Sequence, residues 1–138
     1  MKNLGLFIIY LFSLQAEAVP GKITSPVVPL EQLCVANYSA TVRPSSSYTN
    51  KIKKKLIIQI NTEEMLKGYP LTKIQDYELD HKVPLSIGGD PSSLDNLWME
   101  RWDDAKVKDV LEVRLHKAVC KGKMDLYTAQ KTFLDWGK

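Results

Sequence analysis

The chain is expected to fold as an α+β domain, and three observations lead to that expectation. Two short runs of strand-forming residues, Tyr77-Glu78-Leu79-Asp80-His81 and Asn96-Leu97-Trp98-Met99, are separated by Pro84 and the pair Gly88-Gly89. They read as a hairpin with an elaborated connection. Apolar residues at helical spacing stand before and after that pair, an order that argues against a repeated βαβ unit. The composition is globular: 138 residues, 44% apolar and 25% charged, with a formal charge of +3. Low hydrophobicity with high net charge, the mark of disorder, is absent, and so is any Gly-X-Y or long heptad period.

Taken in order, the first element is a leader. Lys2 precedes the uncharged run Leu4 to Leu14, followed by Gln15 and Ala16-Glu17-Ala18. This pattern reads as a secretory signal peptide over residues 1–18, and it implies a secreted or periplasmic protein. The eleven apolar-run residues would reach about 16 Å as a helix, short of a hydrocarbon core of about 30 Å. Residues 19–48 form a Pro-rich lead in which Pro20, Pro26 and Pro29 argue against a helix before Cys34 and suggest a loosely held, extended segment. The remainder, residues 49–138, is read as the folded domain.

After Arg43-Pro44 and Ser45-Ser46-Ser47, Thr49 or Asn50 is expected to cap a helix starting at Lys51, with Ile52, Leu56 and Ile60 on one face. Gly68, Tyr69 and Pro70 close that region ahead of the hairpin. A second helix is expected from Asp103 or Asp104, with Val107, Leu111, Leu115, Ala118 and Val119 facing inward and Gly122 ending it. Asp125 caps a last helix carrying Leu126, Ala129, Phe133 and Trp136. The two cysteines, Cys34 and Cys120, both follow the leader, so export would favour a disulfide, with two free thiols as the alternative. Such a bond would close a loop of about 86 residues, worth on the order of 4 kcal/mol in the chain-entropy model.

One constellation carries chemistry: Asp80-His81 at a strand end, Pro84-Leu85, Gly88-Gly89, Asn96-Leu97 opening the next strand, and Asp103-Asp104 at the following helix start. In this order the residues resemble the HNH endonuclease family over roughly residues 76–116. That resemblance implies a ββα-metal core, a hairpin plus a helix around one divalent cation, flanked here by an N-terminal and a C-terminal helix. The wider pattern of Cys34, Arg43-Pro44 and Leu115-His116 to Val119-Cys120 resembles the flanks of exported HNH-like proteins. By the resemblance, His81 is the general base, Asp80 a metal ligand, and Asn96 a residue that orients the histidine or braces the loop. The family's third position, an Asn or His on the helix, is matched here by Asp104, with Asp103 beside it.

The residues support the same chemistry on their own terms. Phosphodiester hydrolysis needs a base near neutral pH, and His81 is one of two histidines. It also needs a cation for the developing charge, and a carboxylate such as Asp80 suits Mg²⁺ or Mn²⁺. Glu78 shares a strand face with Asp80 by the two-residue period. His116, twelve residues past Asp104, is about 18 Å away along a helix and reads as structural or as a distant phosphate contact. Arg43 with Lys53, Lys54 and Lys55 offers cationic ground for a phosphate backbone, and a solvated helix face is the plain alternative. The resulting expectation is a monomeric, metal-dependent endonuclease of low sequence specificity, acting on DNA with RNA as the alternative substrate. Two rivals stand beside it: an inactive nucleic-acid-binding protein on the same scaffold, and an exported, disulfide-stabilised protein-binding module.

Overall fold

The computed structural model describes residues 21–70 and 72–137, so the expected signal peptide lies outside the described residues. Among the described residues, five α-helices surround a two-stranded antiparallel hairpin, an α+β arrangement. The lead segment corrects the expectation of a loose, helix-free stretch. Pro29 stands at the N-cap of a single turn, α1 (Leu30–Leu33), where its missing N–H breaks no helical bond. Ile23 bridges Gly89 in antiparallel fashion, and the Thr24 N–H donates to the Gly88 carbonyl at 3.2 Å. Ile23 is buried because it joins the core with Val83, Ile87, Leu115, Val119, Ala129 and Phe133.

Asn37, at φ 65°, turns the chain into α2 (Tyr38–Val42); asparagine tolerates this left-handed conformation better than most residues. The long helix α3 (Ser46–Leu66) starts at Ser46 rather than Lys51. Its cap is Ser45, whose Oγ accepts the Tyr48 N–H at 3.3 Å. Thr49, an expected cap, lies inside the helix and donates its hydroxyl to the Ser45 and Ser46 carbonyls. Ile52 and Ile57 are the buried residues of α3. Beyond it, Asn61 accepts the Thr72 N–H at 2.7 Å and donates to the Thr72 carbonyl at 3.2 Å, tying α3 to the approach of the hairpin.

Strands β1 (Tyr77–His81) and β2 (Leu97–Arg101) pair with Glu78 opposite Glu100, Asp80 opposite Trp98 and His81 opposite Leu97. Helix α4 (Trp102–Cys120) packs on both strands and on α5 (Leu126–Leu134), whose cap is Asp125 as expected, its Oδ1 accepting the Thr128 N–H at 2.9 Å. The inward face of α4 holds Leu111, Leu115, Ala118 and Val119 as expected, but not Val107, and it adds Ala105 and Lys108. Ala105, Lys108, Leu115 and Val119 are buried, whereas Val107 is exposed. Cys34, just after α1, and Cys120, at the end of α4, form a disulfide. Beside it His116 donates its Nε2–H to the Leu33 carbonyl at 3.0 Å, a structural role.

Candidate active site

His81 ends β1 and is buried. Its Nε2 lies 2.9 Å from the Pro91 carbonyl oxygen. A carbonyl can only accept, so Nε2 carries the proton and Nδ1 keeps the lone pair. Burial lowers the pKa of this imidazole below its usual value; the Arg43 and Lys108 charges reinforce the shift, while the Pro91 bond and Asp80 oppose it. At neutral pH the ring is therefore a neutral base with one fixed tautomer.

The loop that carries the Pro91 carbonyl is held by Asn96, which is fully buried. Its Oδ1 accepts the Val83 N–H at 2.9 Å, and its Nδ2 donates to the Val83 and Asp90 carbonyls, each at 3.0 Å. Of the two roles expected for Asn96, bracing the loop is the one its bonds perform, and the bond to Asp90 adjoins the carbonyl that orients His81. Gly89 is needed for the same packing, because a Cβ there would come within 1.8 Å of the Val83 carbonyl oxygen. Asn96→Ala strands one buried N–H and two carbonyls, and we expect it to cost about 3 kcal/mol in urea denaturation. A loss below about 0.5 kcal/mol would remove Asn96 as the brace.

His81 also lines a groove of about 250 Å³ with Arg43, Lys53, Ser46, Thr49, Asn50 and Glu78. Lys53 donates to the Tyr77 carbonyl at 2.5 Å, so one lysine of the cluster is fixed against β1. Lys54 and Lys55 are exposed on α3 and do not line the groove. Arg43 and Lys53 are thus the two cationic residues of the expected binding set that line the same groove as the histidine.

Glu78, which lines this groove, and Asp80 and Glu100 each offer a carboxylate oxygen, and these atoms lie within 4.8 Å of one another. Such hard oxygen donors suit Mg²⁺ or Mn²⁺. The second group of possible ligands, Cys34, His116 and Cys120, is already spent, since its two sulfurs are bonded to each other. Asp104 does not belong to the carboxylate group. It is exposed in the first turn of α4, near Glu100 and Arg101, while Asp103 pairs with Lys106 at 3.9 Å. The helix residue that meets Asp80 is Lys108.

Lys108 is 1% exposed, yet its Nζ donates to Asp80 Oδ2 and, at 2.7 Å, to the His81 carbonyl, and lies 3.7 Å from Glu100 Oε2. Asp80 Oδ1 in turn accepts the His81 N–H at 2.7 Å. Burial alone would raise the Asp80 carboxyl, but the Lys108 charge and the hydrogen bonds converging on it hold it below its ordinary value. Glu100 shifts the other way. Burial and the adjacent Asp80 push it up to about 7, against the pull of Lys108 and of the Trp136 indole, which donates to Oε1 at 2.7 Å. Glu78 is raised by burial and by Asp80 and Asp109. Glu112 on α4, raised by burial, accepts the Ser86 hydroxyl at 2.8 Å.

A scan of protein-family models and searches of curated proteins and of solved structures each find no match to this chain.

Proposed function

We propose that this chain is a phosphodiester hydrolase acting on nucleic acid, with His81 as its general base, in the manner of the HNH endonucleases it resembles. The observation that carries the reading is the His81 ring: Nε2 is committed to the Pro91 carbonyl, and Nδ1 is left as a buried-side-chain lone pair beside a groove holding Arg43 and Lys53. Nδ1 takes the proton of the attacking water, and the two cations bind phosphate oxygens along the groove. Asp80, with Glu78 and Glu100, would hold a divalent cation, Mg²⁺ or Mn²⁺, which supplies charge at the scissile phosphate when bound. No recognition helix with distinctive base-reading residues stands out, so cleavage is of low sequence specificity, on DNA in preference to RNA.

The disulfide fits an exported protein, acting as a monomer. Among the described residues no helix is long and apolar enough to cross a membrane. A second reading is favoured by one observation: the Lys108 ammonium on Asp80 suits a nucleic-acid-binding protein that keeps the scaffold without hydrolysis. The two are separated by incubating a 5′-labelled DNA duplex and a matched RNA with the protein and Mn²⁺. Hydrolysis gives shortened products ending in 3′-hydroxyls. Retarded but intact nucleic acid, with affinity independent of metal, would establish the binding protein instead.

A further inference from the structure

Three carboxylates share one face of a two-stranded hairpin, and two of them, Glu78 and Glu100, stand directly opposite each other. Like charges at paired positions destabilise a hairpin. A single buried lysine answers them. An ordinary internal ion pair matches one charge with one charge, and its polar atoms are hydrogen-bonded; this cluster meets neither condition. Glu100 is 2% exposed in its side chain, and its Oε2, the oxygen on the Lys108 side, has no hydrogen-bond partner. Its other oxygen is taken by Trp136. The face therefore gathers three carboxyls around one lysine, and leaves an acceptor at Glu100 Oε2 that Lys108, 3.7 Å away, does not satisfy.

We infer that Lys108 is a tethered cation occupying a Glu78–Asp80–Glu100 cation site, and that a divalent ion binds there in competition with its ammonium. This rests on reading the three carboxylates as the cation site. The ammonium of Lys108 and an incoming divalent ion need the same oxygens: Asp80 Oδ2 is bonded to Nζ, and Glu100 Oε2 is 3.7 Å from it. Two cations on shared carboxylates repel strongly in a poorly solvated site. Lys108 also has no reach to substrate, since its side chain is 1% exposed and a second N–H is held by the His81 carbonyl. Its effect on the site thus runs through charge and occupancy.

The test reads binding rather than cleavage. Free Mn²⁺ is titrated with the full chain and followed by electron paramagnetic resonance for the parent, Lys108→Met, Glu100→Gln and Asp104→Ala. Competition predicts that Lys108→Met tightens the dissociation constant at least tenfold, Glu100→Gln weakens it at least tenfold, and Asp104→Ala leaves it within about twofold. A folded Lys108→Met protein that binds no more tightly than the parent would overturn the competition, and an unchanged Glu100→Gln would overturn the site. If Lys108→Met does not fold, the parent decides. The Lys108 Nζ ammonium resonance, sheltered from water without metal, should broaden away on addition of Mg²⁺, and a signal unmoved at saturating Mg²⁺ refutes displacement. Absence of cleavage with this binding pattern intact would remove the hydrolase and leave the inference standing.

Discussion

His81→Ala is expected to lower the cleavage rate by roughly 10²–10⁴ while nucleic-acid binding changes little. The loss is that of a positioned base. In the parent, the Pro91 carbonyl fixes which nitrogen bears the proton, so every turnover begins with Nδ1 ready to accept. A protonated ring cannot accept the water's proton, so the parental rate should fall as pH drops through the histidine's ionisation. Because burial pushes that ionisation down, the acid limb should lie below the ordinary value of about 6.5. The rate of a folded His81→Ala protein matching the parent's would remove the histidine from the chemistry.

Asp80→Ala should carry a large stability cost, roughly 3–5 kcal/mol, because it leaves the buried Lys108 ammonium with the neutral His81 carbonyl and only a long contact to a carboxylate, Glu100. The pH dependence of folding follows from the same cluster and has two limbs of opposite sign. Asp80, depressed in the folded state, contributes stability that is present above its unfolded pKa of about 3.9 and is lost as pH falls through its lower folded value. Glu100, raised to about 7, contributes stability that is fully present below its unfolded pKa and is lost as pH rises through the folded one. Urea midpoints should therefore peak on the weakly acidic side of neutrality. Glu100→Gln should flatten the decline toward pH 7 and above; a decline of parental steepness in that variant would assign it elsewhere.

How much of this was legible depends on the range of the signal. The span of β1 and the cap at Asp125 are local, written in alternation and cap chemistry, and the structure contains them; the brace at Asn96 is offered only by the family resemblance, as one of two roles. Helices α1 and α2, of four and five residues, are too short for a periodic pattern and depend on packing of Leu33 and Tyr38. Lys108 escaped because a lysine on an amphipathic helix is assigned to the solvent side. Its signal was present: it lies three residues before Leu111 and seven before Leu115, on the face that packs inward. Glu100 could not be placed beside Glu78 and Asp80 without the hairpin register, which a long irregular connection leaves undetermined. The family's spacing places Asp104 at the metal, whereas α4 turns Asp104 outward and Lys108 toward the hairpin.

The most direct measurement is conversion of supercoiled plasmid to open circle by the parent protein, with Mg²⁺ or Mn²⁺ and, in parallel, with EDTA. A nicking hydrolase using this site relaxes the plasmid with the metal and not with the chelator. A pure, folded protein that leaves the plasmid supercoiled across both metals, or that nicks it equally in EDTA, contradicts the account.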